Sequence, residues 1–395
     1  MDLFTKCHEF TAAKELSAIG LYPYFHELQT GQDTEVTMSH RENVLMIGSN
    51  NYLGLTSDPR VKQAAIDAVK KYGSGCSGSR FLNGTLDLHT QLEKELAEFM
   101  GFESALLFST GFQSNLGIIS AIASKGDYIL CDRLNHASIY DGCRLSFAKT
   151  LKYEHNDMND LERLLKNLVP DVGKLIVTDG VFSMEGDLAN LPVICELARK
   201  YNARVMVDDA HGIGVLGKNG RGTAEYLGVE DQVDLIMGTF SKSFASLGGF
   251  VAAPEVVCHY IKHTSRPLIF SASMTPAAVA SVLASLEIIR TEPERREHLS
   301  QLSQYFQAGL EKLGFKIKKG ITPIVPVWVG DMNKTFLACK MLFDEGVYVN
   351  PVVAPAVPPD STMIRTSLTA THTFAQLDRA LVAFAKVGRA LELIP

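Results

Sequence analysis

Leu235-Ile236-Met237-Gly238-Thr239-Phe240-Ser241-Lys242-Ser243 is the stretch on which the reading of this chain turns. Leu235-Ile236-Met237 reads as a short buried strand, and Gly248-Gly249-Phe250-Val251-Ala252-Ala253 as another. Between them lie small hydroxylated residues and Lys242, with no second cation nearby. An amine in that setting is expected to be half-buried, and burial lowers its pKa by disfavouring the charged form. Such a lysine is a candidate Schiff-base nucleophile. A lysine at a loop entrance, or one touching a phosphate, would show the same local pattern. The decision therefore rests on a second stretch upstream.

That stretch is Val205-Met206-Val207-Asp208-Asp209-Ala210-His211-Gly212, a buried strand that ends in Asp208 with His211 three positions on. Open parallel α/β sheets build their sites at the carboxyl ends of strands. Enzymes that use pyridoxal phosphate (PLP) need a lysine for the aldehyde and a carboxylate for the protonated pyridine nitrogen. A third group near the ring hydroxyl tunes the bound cofactor. Asp208, His211 and Lys242 supply these three, each at or just past a strand end. Singly, an aspartate or histidine there reads as a cap or a turn contact; the set of three does not.

Composition agrees. A chain of 395 residues can bury a large core and divide into two domains. Apolar residues make up 46% and charged ones 21%, as in ordinary globular proteins. A net charge of −6 without a Lys/Arg run argues against nucleic acid as a partner. The dense charges from Glu292 to Glu297 read as a solvated helix start. No run approaches the roughly 18 apolar residues of a membrane span, so no transmembrane segment is expected; a weak peripheral membrane contact is left open. Met1-Asp2-Leu3-Phe4-Thr5-Lys6 lacks a basic region followed by an apolar core, so no secretory signal is expected. Cys7, Cys76, Cys131, Cys143, Cys195, Cys258 and Cys339 are scattered with no C-x-x-C, the pattern of reduced packing thiols in a cytoplasmic protein. The histidines are equally dispersed, so no metal is expected.

Apolar runs alternate with amphipathic stretches from Val44 onward. Residues 105–108, 128–131, 174–178 and 204–207 read as buried strands, with helices over 161–168 and 192–201. This predicts an α/β fold with a mainly parallel sheet covered on both faces. The expected division is an amino-terminal helix (11–19) and polar arm over 1–45, a large domain over 46–278, and a smaller α+β domain over 279–395. In the last, 299–313 and 335–345 read as helices and 324–329 and 363–368 as strands. Pro351, Pro355, Pro358 and Pro359 mark an extended segment there.

Two further motifs belong with Lys242. Ser109-Thr110-Gly111-Phe112-Gln113-Ser114-Asn115 follows a strand and opens an apolar helix, whose first N–H groups and positive dipole end suit a phosphate. Asn135-His136-Ala137-Ser138 places an imidazole at the same sheet edge, where it could stack on a pyridine ring.

Together Asp-x-Ala-His, Gly-Thr-Phe-Ser-Lys-Ser-Phe, the Ser-Thr-Gly-Phe cradle and Asn-His-Ala-Ser resemble the α-oxoamine synthases, fold-type-I PLP enzymes that condense an amino acid with an acyl-CoA. The resemblance runs from Ser49-Asn50-Asn51-Tyr52-Leu53-Gly54-Leu55 to Arg365 and includes Gly78-Ser79-Arg80-Phe81-Leu82-Asn83-Gly84-Thr85. Thr239-Phe240-Ser241-Lys242-Ser243-Phe244 is most similar to the serine-using branch in its soluble bacterial form. The 7-keto-8-aminopelargonate and aminoketobutyrate members more usually carry glycine before the lysine. Asp209 stands where several members have glutamate.

The resemblance implies that Lys242 holds PLP covalently and shuttles a proton. By the same token Asp208 pairs with the ring nitrogen, His211 and Ser183 contact the ring oxygen, and His136 stacks on the ring and touches the substrate carboxylate. Gly111, Phe112, Thr239 and Ser241 would frame the phosphate, joined by Ser271 and Ala272 of the partner subunit in a homodimer with shared sites. Arg365 would anchor the substrate carboxylate with help from Asn50, a planar fork suiting that task. The implied reaction is decarboxylative condensation of L-serine with a long-chain acyl-CoA such as palmitoyl-CoA. It gives 3-ketodihydrosphingosine, CoA and CO2, the first step of sphingolipid biosynthesis. The alternative is a sister condensation using glycine or alanine and another acyl-CoA.

Overall fold

The computed structural model describes residues 2–395. Its strands are β1 (Glu35–Met38), β2 (Arg41–Met46), β3 (Ser104–Phe108), β4 (Tyr128–Asp132), β5 (Lys149–Tyr153), β6 (Lys174–Asp179) and β7 (Arg204–Asp208). They continue with β8 (Leu235–Thr239), β9 (Gly249–Ala253), β10 (Ile324–Trp328), β11 (Val347–Tyr348), β12 (Asn350–Val352) and β13 (Met363–Ser367). The chain forms two compact units, one of residues 50–299 and one of residues up to Ser49 with 300–395.

The unit of residues 50–299 is built on a seven-stranded sheet in the order β3-β9-β8-β7-β6-β4-β5. The β4–β5, β4–β6, β6–β7 and β7–β8 pairs are parallel, and β9 is antiparallel to both of its neighbours. One face carries Leu106, Ile129, Val177, Met206, Met237 and Val251, packed with Ile118, Ile119, Ile139 and Ile261 of the helices Gly111–Ile122, Ala137–Ser146 and Glu255–Thr264. The alternate residues Leu107, Leu130, Ile176, Val207, Ile236 and Phe250 are buried as well. Burial of both faces explains why these strands read as continuous apolar runs. The consequence for function is directional: β3, β4, β6, β7 and β8 all deliver their carboxyl ends to one edge of the sheet.

The other unit holds two three-stranded sheets, β1-β2-β11 and β10-β13-β12. In the second, β13 is central and antiparallel to both neighbours. The helix Phe374–Ala390 opens with a capping box, in which Thr373 and Gln376 exchange side chain to backbone hydrogen bonds.

The unit boundaries differ from the sequence expectation. The helix Pro276–Thr291 buries Val279, Val282, Leu286 and Ile289 and packs on the helix Pro59–Tyr72, so the large unit runs to Leu299 instead of 278. The supposed polar arm contains the hairpin β1–β2, and β2 pairs in parallel with β11, which ties this segment to the carboxyl-terminal unit. Among the described residues, no helix is long and apolar enough to cross a membrane.

Candidate active site

Four apolar runs end in polar residues at the common sheet edge: β4 in Asp132, β6 in Asp179, β7 in Asp208 and β8 in Thr239. A cavity of about 240 Å³ opens there. Gly111, Phe112, His136, Ser183, Asp208, His211, Thr239, Ser241 and Lys242 all line it. Nine residues singled out from sequence are thus brought together.

Lys242 is half-buried, just past β8. The turn that carries it folds back through Ala245 N–H to the Lys242 carbonyl at 3.0 Å and Ser246 N–H to the Phe240 carbonyl at 2.9 Å. Thr239 Oγ1 donates to the Gly248 carbonyl at 3.1 Å and lies 3.0 Å from Ser241 Oγ. The helix Gly111–Ile122 points its amino terminus at the same place. Thr110 Oγ1 caps Gln113 N–H at 3.1 Å, and the N–H groups of Gly111 and Phe112 have no intrahelical acceptor. Gly111 is needed for the approach to β8, because a Cβ there would fall 2.5 Å from Thr239 Oγ1.

Asp208 is 5% exposed. Its Oδ1 accepts from Ala210 N–H at 3.1 Å and its Oδ2 from Asn115 Nδ2 at 2.6 Å. Asn115 Nδ2 also donates to Ser138 Oγ at 2.8 Å, and Ser138 Oγ lies 2.7 Å from His136 Nδ1. Ser138 N–H points at the same Nδ1 at 3.3 Å, which makes that nitrogen an acceptor and leaves the proton on Nε2. A polar chain therefore runs from His136 through Ser138 and Asn115 to Asp208. Burial lowers the His136 pKa; Asp208 opposes that shift and Lys242 adds to it, and the imidazole is neutral at pH 7.

His136 is set in place by its own turn. Asn135 Nδ2 donates to the Val177 carbonyl at 2.8 Å, Asn135 Oδ1 accepts from Asp179 N–H at 2.9 Å, and His136 N–H donates to Asp179 Oδ2 at 3.0 Å. Asp179 is paired with Asp208 across β6 and β7. Burial first, then the Asp208 charge, raises the Asp179 pKa well above the carboxylate range. His211 is held from behind, with Nδ1 2.7 Å from Tyr52 Oη. Ser183 sits in a loop closed by the Val181–Leu188 bridge.

Ser271, Ala272 and Asn50 do not line the cavity of this chain. Ser271 Oγ accepts from Gln113 Nε2 at 2.9 Å, and Ser109 Oγ donates to the Ala272 carbonyl. Asn50 Oδ1 accepts from Tyr52 Oη at 3.2 Å. Arg365 is a buried residue of β13 in the other unit, 3.4 Å from Ser367 Oγ. Sequence reasoning gave no role to Asn115, Ser138, Asp179 or Tyr52. The available signal was polarity where burial was expected: Asn115 falls on the buried side of its helix beside Ser114, Ile118 and Ile119.

These residues fit PLP. Free N–H groups and two hydroxyls suit a phosphate, a neutral imidazole suits the face of a pyridine, and a hydrogen-bonded carboxylate suits a protonated ring nitrogen. The cavity also holds one amine. Asn115 Oδ1, on a cavity residue, is buried without a partner among the described residues, an acceptor in reserve.

The family model for aminotransferase class I and II matches residues 42–384. A serine palmitoyltransferase of Bacteroides ovatus is 55% identical over 98% of this chain and 98% of its own length. An 8-amino-7-oxononanoate synthase of Lysinibacillus sphaericus is 44% identical over 96% of this chain and 98% of its own. A solved serine palmitoyltransferase with PLP internal aldimine superposes with a TM-score of 0.97 at 38% identity, covering both chains completely.

Proposed function

The chain belongs to the aminotransferase class I and II family, and from that premise we propose that it is a PLP-dependent serine palmitoyltransferase. It condenses L-serine with palmitoyl-CoA or a similar long-chain acyl-CoA to give 3-ketodihydrosphingosine, CoA and CO2. The observation that carries this reading is the meeting of a half-buried Lys242 with Asp208, His136 and His211 in one cavity at the sheet edge. The choice of serine over the 8-amino-7-oxononanoate reaction is supported by the higher identity to the serine-using relative, 55% against 44%.

PLP bound here supplies an electron sink for the charge left on serine Cα when its proton is removed. Everything else falls to the chain. Lys242 Nζ would hold the cofactor, and it is the amine in the cavity placed to take and return the α-proton. Asp208 keeps the ring nitrogen protonated, and Asn115 keeps Asp208 in place. Neutral His136 would suit the face of the ring without adding a second positive charge, and would be the contact for the serine carboxylate. His211 and Ser183 hydrogen-bond to the ring oxygen. Gly111, Phe112, Thr239 and Ser241 take the phosphate.

The working unit in this reading is a cytoplasmic homodimer, in which Ser271 and Ala272 of the partner subunit complete each phosphate site. Support comes from exposed Phe81, Leu82 and Phe270, on two segments joined by Ser273 Oγ donating to the Gly78 and Gly84 carbonyls. All seven cysteines are free, in keeping with a reducing compartment.

The test pairs cofactor chemistry with turnover. Borohydride reduction of the PLP-loaded protein should fix the cofactor on Lys242, and L-serine with palmitoyl-CoA should release CoA. Lys242→Ala should keep PLP without a reducible link and release none. Turnover by Lys242→Ala, or reduction onto another lysine, would overturn the reading.

A further inference from the structure

A second polar cluster lies behind the cavity wall and has no part in the chemistry described so far. His155, just after β5, stands between two carboxylates: its Nδ1 is 3.0 Å from Asp132 Oδ1 and its Nε2 is 2.8 Å from Asp187 Oδ2. None of the three lines the cavity. Carboxylate oxygens only accept, so both ring nitrogens must donate, and the ring is an imidazolium. The imidazole is also met edge-on by Phe182, with centroids 4.4 Å apart and planes at 84°.

Each end of this clamp reaches a cavity residue through a short stretch of chain. Asp132 closes β4 and begins the turn to His136, with Oδ1 accepting from Leu134 N–H at 2.8 Å and Oδ2 from Asn156 N–H at 2.9 Å. Asp187 lies in the loop that carries Ser183, where its carbonyl accepts from Phe182 N–H at 2.9 Å. Asn156 reinforces the link, donating from Nδ2 to the Leu188 carbonyl at 2.8 Å and accepting on Oδ1 from Asn190 N–H at 3.1 Å. We propose that His155 is a positioning residue for this site: through Asp132 and Asp187 it fixes the Ser183 loop against the His136 turn, and so sets how tightly the cofactor ring is gripped. The proposal rests on the PLP reading above and adds to it a residue outside the cavity.

The charge on His155 gives a signature that a packing role lacks. Burial alone would lower its pKa, but the hydrogen bonds it donates to Asp132 and Asp187 outweigh that and hold the ring at about 9. The other ionisable groups around it are committed elsewhere: Glu154 pairs with Arg133 at 2.7 Å, and the Tyr153 phenol is kept neutral by burial and the Asp132 charge. With the folded pKa raised above the free value, the stability the clamp adds is full below about pH 6.5, and in the folded protein the clamp itself is lost as pH rises through about 9.

The experiment measures PLP dissociation constants by absorbance titration, with melting of the cofactor-free protein alongside. It compares the unsubstituted chain with His155→Gln, Asp187→Asn, Ser183→Ala and the His155→Gln/Ser183→Ala double variant. Asp187→Asn is the milder change, at the 18% exposed end of the clamp. Losing a charged hydrogen bond should weaken PLP binding about tenfold in His155→Gln and Asp187→Asn. Adding Ser183→Ala to His155→Gln should cost little more, because the serine has already lost its position. The fall in wild-type affinity through pH 9 should be absent from His155→Gln. Wild-type affinity in His155→Gln and Asp187→Asn, or fully additive losses in the double variant, would overturn the clamp while leaving the PLP reading intact. Failure of the unsubstituted chain to bind PLP would overturn both.

Discussion

The Tyr52 hydroxyl lies 2.7 Å from Nδ1 of His211 at a fully buried position, so the ring that faces the cofactor cavity is oriented from the side away from it. Tyr52→Phe removes this hydrogen bond and should cost about 0.5–1.5 kcal/mol. Urea unfolding should register that loss, and PLP titration a weaker cofactor complex. Unchanged PLP affinity would reduce Tyr52 to a core residue.

Asn115 is the bridge between Asp208 and the Ser138–His136 pair, and its two substitutions should separate by pH. Asn115→Ala removes the donor to Asp208 and should lower turnover more than it raises the serine requirement. Asn115→Asp puts a second carboxylate against Asp208, and two such groups cannot both ionise at hydrogen-bond distance. Its PLP affinity should therefore be worse than that of Asn115→Ala near pH 8 and should recover as pH falls and the added carboxyl protonates. Equal affinities at both pH values would contradict this role.

Gly111→Ala tests the phosphate cradle. The added methyl would meet Thr239 Oγ1 at 2.5 Å and Thr239 Cβ at 2.7 Å. Forcing that contact should cost about 1–3 kcal/mol and push the helix start away from β8. Calorimetric titration with PLP should show the loss. Gly75→Ala, whose methyl would meet nothing within 4 Å, is the matched control and should bind normally.

Acid sensitivity should begin early. His89 and His372 are fully buried, and each accepts a backbone N–H on Nδ1 and faces a carbonyl with Nε2. Burial holds both pKa values at about 4, against 6.5 for a free imidazole. Between those values the unfolded chain binds more protons than the folded one, so stability falls as pH drops from 6.5 towards 4. Each histidine contributes on the order of 3 kcal/mol to that fall. Urea midpoints at pH 7 and pH 5 should differ, and His372→Gln should narrow the gap. A midpoint independent of pH over this range would refute the account.

Much of this was legible in the sequence, for a physical reason. Strands buried on both faces are unbroken apolar runs, and the runs ending at Asp208 and Thr239 put their next residues at the sheet edge without any knowledge of packing. β5 went unread because Lys149-Thr150-Leu151-Lys152-Tyr153 is an edge strand with exposed lysines and only Tyr153 fully buried. The hairpin β1–β2 escaped because its partner, β11, lies some three hundred residues away in the chain. Tyr52, Asn115 and Ser138 pair with the side chains of other site residues, and such pairings exist only after folding. Lys242 announced itself; the residues that hold its neighbours did not.

The central claim is the identity of the reaction, and one competition measures it. PLP-loaded protein would receive palmitoyl-CoA with equal amounts of carboxyl-labelled L-serine, glycine and L-alanine, and CO2, free CoA and lipid products would be followed by mass spectrometry. The account predicts labelled CO2 and CoA in amounts equal to the summed lipid products, with 3-ketodihydrosphingosine dominant among them. Products built mainly from glycine or alanine, or a serine product that retains the carboxyl label, would contradict it.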